Sequence, residues 1–183
     1  PKQSAFGELR PSEEELLKPY LFQNGKRFAY ITGGSLYNRM GLTTQVPKTI
    51  KVASKEKRVT TKIGKTQVKP VKSYVDVNNE NYYLLEILDA LKDFKTIPDL
   101  DKQSAITLLK NMIIKLTDNE LSKMVRYALK YPPRTKALLG AILEFSMKKN
   151  SIQDLRTNLN PLTSYSLGIE EEALPTAQKW NIN

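Results

Sequence analysis

The sequence predicts an α+β fold, a small basic antiparallel sheet with short helices packed against a helical C-terminal half. Three observations predict it. Short β-branched runs dominate up to residue 77, apolar residues at i, i+3, i+4 and i+7 dominate residues 81–160, and polar Asp76, Asn78 and Asn79 lie between them. The chain has 183 residues, 40% hydrophobic and 26% charged, a globular balance with enough length to bury a core without staples. The expected organisation is one α+β domain over residues 11–183: a basic β-rich part (11–77), a helical part (81–160) and a C-terminal tail (161–183). Residues 1–10 have no period and read as a connector from something upstream. With Pro1 in place of methionine, no signal segment and no apolar run of spanning length, the chain reads as an internal fragment of a longer cytoplasmic protein.

Each element has a local reason. Ser12-Glu13-Glu14-Glu15 is a capping box, so a helix should start there; Leu16, Leu17, Tyr20 and Leu21 form its stripe. Pro19 predicts a kink or restart, and Asn24-Gly25 a stop. Arg27–Ile31 is a strand candidate, and Thr32-Gly33-Gly34-Ser35 turns into a brief helix closed by Gly41. Thr49–Ala53, Arg58–Ile63 and Thr66–Val71 read as successive antiparallel strands, with Gly64-Lys65 as a tight turn. Lys72–Val77 would continue the last one, and Pro70 argues for an edge or a bulge.

Leu84, Ile87, Leu88 and Leu91 predict a helix from about Asn81 to Phe94, and Ala105, Leu108, Leu109 and Met112 predict another after a Pro98–Asp101 turn. Thr117-Asp118-Asn119-Glu120 is a second capping box, and Pro132-Pro133 ends that helix and opens the next. Gly140 inside this helix predicts close packing against a neighbour. Ser151 should start a shorter helix, Tyr165–Leu167 a late strand, and Trp180 should dock the tail.

Composition excludes whole classes of chemistry. There is no cysteine and no histidine, so disulfides, thiolate or imidazole metal sites, and nucleophiles or triads built on these residues are ruled out. The sequence calls for no cofactor and no metal. Its net charge of +10 is confined to residues 1–75, which hold 15 Lys/Arg against 5 Asp/Glu; the remainder balances. The densest run is Lys48, Lys51, Lys55, Lys57, Arg58, Lys62, Lys65, Lys69 and Lys72 against the single acid Glu56. Of these, Lys51, Lys55 and Lys57 share parity along a strand, as do Lys65 and Lys69. Such a surface tracks phosphates without reading bases. The alternative is protection of exposed strand edges by lysine. No aromatic residue is interleaved here, which argues against a single-strand stacking platform.

Other constellations are weaker. Gly33-Gly34-Ser35 resembles the turn of nucleotidyltransferases, but Gln45-Val46-Pro47 stands where that chemistry needs paired carboxylates. Asp89, Asp93 and Lys95 have the form of a two-carboxylate nuclease site, although Asp89 and Asp93 at i, i+4 fit better as the solvated face of a helix. Arg134 beside a helix N-terminus is electrostatically unfavourable and points to an anionic partner, a structural salt bridge first and an anion or protein contact second.

Several segments also resemble one family. Phe6-Gly7-Glu8-Leu9, Ile31-Thr32-Gly33, Gly41-Leu42-Thr43-Thr44-Gln45-Val46-Pro47 and Pro132-Pro133-Arg134 with Ala137-Leu138-Leu139-Gly140 are similar, in the same order and over nearly the whole chain, to the AbiEi family. These are antitoxins and transcriptional regulators of abortive-infection, type IV toxin–antitoxin systems of phage defence. The chain is most similar to a branch known only as a domain of unknown function. The resemblance implies an N-terminal winged helix-turn-helix, absent from this chain, that carries the operator DNA contacts; Pro1–Leu9 matches the segment that follows it. It further implies a mixed α/β C-terminal domain with antitoxin activity and no catalysis, functionally paired with a nucleotidyltransferase toxin. Two rival expectations are a non-specific nucleic-acid-binding module of an unrelated system and a divergent metal-dependent nuclease.

Overall fold

A computed structural model of the chain describes residues 3–4, 7–8, 11–148 and 152–183; Phe6, Leu9 and the expected helix start at Ser151 lie outside them. In the opening segment, strands β1 (Gln3–Ser4) and β2 (Gly7–Glu8) pair antiparallel. Helix α1 (Glu13–Leu21) starts on the expected capping box: Glu15 N donates to Ser12 Oγ at 3.2 Å and Ser12 N to Glu15 Oε2 at 2.9 Å. Pro19 does not interrupt it, because the helix ends two residues later and only one hydrogen bond is forgone. Asn24-Gly25 is not a helix stop. Both residues have positive φ (50° and 74°) and form the two-residue turn joining β3 (Phe22–Gln23) to β4 (Lys26–Arg27).

The main sheet contains β5 (Ala29–Thr32), β6 (Thr49–Ser54), β7 (Thr61–Ile63) and β8 (Thr66–Lys72), in the order β5-β6-β8-β7. A short helix, α2 (Gly34–Arg39), links β5 towards β6. The expectation of successive antiparallel neighbours fails at one place: β8 inserts between β6 and β7 and runs parallel to β6, with Lys51 opposite Lys69 and Ala53 opposite Val71. Arg58–Thr60 is not strand but part of the crossing that leaves room for β8, and buried Val59 anchors it. The Gly64-Lys65 turn joins β7 to β8 as expected. Pro70 is accommodated because β7 pairing ends at Val68, so no partner on that side loses a ladder bond. The strand stops at Lys72 and does not continue to Val77.

Alternation divides the sheet into two faces. Ala29, Ile31, Ile50, Val52 and Val68 close over Leu17 and Leu21 of α1 as one apolar cluster. Tyr30 and Ala53 belong to the larger core of the helical half. That half consists of α3 (Tyr82–Asp93), a 3-10 turn (Phe94–Thr96), α4 (Lys102–Ile114), α5 (Asp118–Ala128), α6 (Pro133–Phe145) and α7 (Ile152–Thr157). Asp101 caps α4 by accepting from Ser104 N, and the Thr117/Glu120 box caps α5. Gly140 is required by its neighbour: a Cβ there would overlap the six-membered ring of Trp180, which docks the tail on α6. The late strand reduces to one parallel bridge between Tyr165 and Ile182. Among the described residues no helix is long and apolar enough to cross a membrane.

Candidate nucleic-acid interface

Lys48, Lys51, Lys55, Lys57, Arg58, Lys62, Lys65, Lys69 and Lys72 are all exposed, but the sheet sorts them into two groups. Lys51 and Lys69 are register partners on neighbouring strands and therefore point to the same face. Lys62, opposite Gln67, points to that face as well. Lys48 precedes β6 and Lys65 tops the β7–β8 turn, so both stand at this same end of the sheet. Lys55, Lys57 and Arg58 follow the end of β6, and Lys72 closes β8, at the opposite end. The parity expected to align Lys51 with Lys55 and Lys57 does not hold, because β6 stops at Ser54.

The two groups differ in their surroundings. Lys55 pairs with Asp76 at 3.3 Å, and Lys57 lies 4.3 Å above the Phe28 ring and contacts Gln23 Oε1. Lys51, Lys62 and Lys69 have no ion-pair partner among the described residues. The stem of Lys51 lies over Gly33, whose φ of 71° and missing side chain make room: a Cβ there would come within 2.9 Å of the lysine Cδ. This contact holds the stem while the ammonium group reaches solvent.

Edge protection accounts for part of this pattern. Lys62 is on the edge strand β7, and Lys69 lies just past the end of β7 pairing. It does not account for Lys51, whose backbone is paired on both sides, to Thr32 and to Lys69. A lysine directly opposite another lysine is destabilising on its own.

The carboxylates singled out in the sequence have a different arrangement. Asp89 is not on a solvated helix face; it is 3% exposed. Thr32 Oγ1 donates to it at 2.6 Å, Tyr30 OH at 2.8 Å and Tyr131 OH at 2.9 Å. Tyr37 OH donates to the Asp89 carbonyl at 3.0 Å and to Asp93 Oδ2 at 2.5 Å. Burial raises the Asp89 carboxyl above its usual range, against the opposing pull of Lys92 and the three hydroxyls. Burial beside these carboxylates also raises the Tyr30, Tyr37 and Tyr131 hydroxyls, which stay protonated as donors. Lys95 is exposed on the 3-10 turn, and among the described residues no group of three carboxylates could hold a metal ion. This network ties β5, α3 and the entry to α6 together.

A second buried charge does a similar job. Arg27 is 7% exposed, stacked between the rings of Phe22 (4.5 Å) and Tyr82 (3.8 Å), and paired with Glu14 at 2.6 Å. Its cation–π geometry has no local sequence signal, because Tyr82 is far along the chain. Arg134, by contrast, is exposed, and the expected salt bridge does not form among the described residues.

The chain is thus defined as an α+β protein with a helical core, an internally satisfied carboxylate and a set of exposed lysines on its main sheet. No protein-family model, no curated protein and no solved structure matches it.

Proposed function

We propose that this chain is the C-terminal domain of an AbiEi-like antitoxin and autorepressor. In this reading it is non-catalytic and supports toxin neutralisation, and its sheet adds phosphate contacts to DNA held by an N-terminal domain. The observation that carries the DNA contact is Lys51: a cation on a doubly paired strand, facing Lys69 and solvent, with no internal partner among the described residues. A polyanion would relieve that repulsion. The family resemblance supports the antitoxin part, and its motifs have scaffold roles here. Thr32 holds Asp89, Gly33 seats Lys51, and Gly140 receives Trp180.

With three to five lysines in reach, duplex binding should have a log–log salt slope of about −3 to −5, at micromolar affinity or weaker and without sequence preference. Titration of operator and scrambled duplexes at two salt concentrations measures this. Replacing Lys51, Lys62 and Lys69 by Ser should flatten the slope by about 2.7, at about 0.9 per phosphate contact. Salt-independent binding, or an unchanged slope in that variant, would remove the sheet face from the reading. The antitoxin part has its own test: the adjacent reading frame in the source genome should encode a nucleotidyltransferase.

A further inference from the structure

The second basic group surrounds a concavity that duplex binding does not use. It lies at the ends of β6 and β8, encloses about 440 Å³, and is lined by Lys55, Lys57, Arg58 and Lys72 with Glu56 as its one acid. That volume lies within the range of small-molecule sites. The loop that carries the cations is held at both ends. Ser54, 3% exposed, donates its hydroxyl to the Phe28 carbonyl at 3.0 Å and accepts Lys57 N at 3.3 Å, while Val59 is buried in the α1 cluster. Ser54 and Lys72 are register partners, so the strand pairing itself sets Lys72 across from the loop.

We infer that this concavity binds a compact phosphate, either a diphosphate or a phosphomonoester, through Arg58 and Lys72 with Lys55 and Lys57 at its rim. Four cations against one acid leave a surplus of three, which suits a ligand with two or more negative charges. Arg58 offers the forked donors that match phosphate oxygens, and neither it nor Lys72 has an ion-pair partner among the described residues. The Lys55–Asp76 pair is exposed on both sides (39% and 72%), so an incoming dianion displaces it at little expense. No aromatic side chain lines the concavity, so the ligand is recognised by its phosphate and not by a stacked base. The same chemistry is offered by a free small phosphate compound and by the 5′-phosphate of a nucleic-acid chain. The inference does not depend on the duplex reading, which rests on the other end of the sheet.

Calorimetric titration of the 183-residue chain with sodium pyrophosphate tests it. Saturable one-site binding is expected. The R58S/K72S double variant should weaken it about tenfold or more, the usual scale for lost bonds to a charged group, whereas K51S/K69S should leave it in place. Amide shift mapping on the unmutated chain guards against a folding defect, with pyrophosphate-induced shifts expected at Ser54–Val59 and Val71–Ser73. Titration with 5′-phosphorylated and 5′-hydroxyl oligothymidylate then separates the sources: a gain from the 5′-phosphate assigns a chain end, and no gain assigns a free compound. Absence of saturable pyrophosphate binding, equal loss in both double variants, or shifts centred on Lys51 and Lys69 would overturn the inference.

Discussion

Asp89 and Lys51 lie near the same sheet face, one residue apart across the β5–β6 ladder through Thr32, yet their charges are handled in opposite ways. Asp89 is enclosed, and three hydroxyls from β5 and the segment just before α6 converge on its two oxygens. Lys51 is held by its stem, with its charge left in solvent opposite a second lysine. A charge whose partners are all internal serves the fold, because removing any partner leaves a buried polar group unpaired. A charge oriented by the fold but left unpartnered is, in the proposed reading, a place for an outside anion. The contrast separates the structural half of this site from the half proposed to bind, and each side can be perturbed independently.

The largest effect should follow Asp89→Ala. The substitution leaves the hydroxyls of Tyr30, Thr32 and Tyr131 buried without their acceptor, which should cost about 3–5 kcal/mol of stability. Urea unfolding measures it. At temperatures where the variant is folded, the salt slope for duplex DNA should be unchanged. A variant that unfolds normally but loses DNA affinity would move Asp89 from the structural side to the binding side. A smaller loss, about 1–3 kcal/mol, should follow Gly140→Ala, because the new Cβ overlaps the Trp180 ring and overpacking outweighs the gain in helix propensity. Pairing it with Trp180→Ala in a double-mutant cycle should show strong coupling, since removing the ring removes the clash.

These two sites also show what the sequence made legible and what it did not. Gly140 was readable because a glycine inside a helical pattern is a local anomaly with a local explanation. The capping boxes at Ser12 and Thr117 were readable for the same reason: donor and acceptor lie three residues apart. Asp89 was misread because its i, i+4 relation to Asp93 is local, whereas the hydroxyls that enclose it lie 42 to 59 residues away. The parallel β6–β8 pairing was hidden likewise. Successive strands suggest a meander, and nothing in Arg58–Thr60 announces that the chain steps over one strand position. The basic residues were identified by composition, but their division into two ends of the sheet needed the strand boundary at Ser54 and the Lys51–Lys69 register.

The pH dependence of Asp89 sharpens the comparison further. Burial raises its folded-state pKa above the unfolded value, so the native state holds its proton more tightly. The stability contribution of this group is therefore fully present below the unfolded carboxylate pKa and is lost as pH rises through the folded one. Asparagine at this position does not titrate. The stability of Asp89→Asn relative to the parent should accordingly shift in favour of the variant as pH rises from about 4 towards neutrality. Urea midpoints at several pH values in that window read the difference, and groups common to both proteins cancel. A difference that moves the other way would mean that the hydroxyls and Lys92 outweigh burial.

The smallest effect belongs to the proposed binding side and has the opposite sign to a structural one. Lys51 and Lys69 are directly opposed like charges, a cross-strand arrangement that costs a few tenths of a kcal/mol when both are exposed. Replacing either by Ser should stabilise the free protein by about 0.2–0.5 kcal/mol, and replacing the second should add little, because the repulsion is already gone. The gain should shrink with added salt, since the Debye length falls from about 10 Å at 0.1 M to about 3 Å at 1 M. In the presence of saturating duplex the sign should reverse: DNA relieves the repulsion in the parent and adds linkage stabilisation that the variants lack. Thermal melts of the parent, both single variants and the double variant, at two salt concentrations with and without a scrambled duplex, give all of these terms. If the single variants are destabilised in free solution, Lys51 and Lys69 contribute packing through their stems and the sheet face is structural. If they are stabilised alone and relatively destabilised on DNA, the fold is holding an unfavourable pair of charges in place for an external anion.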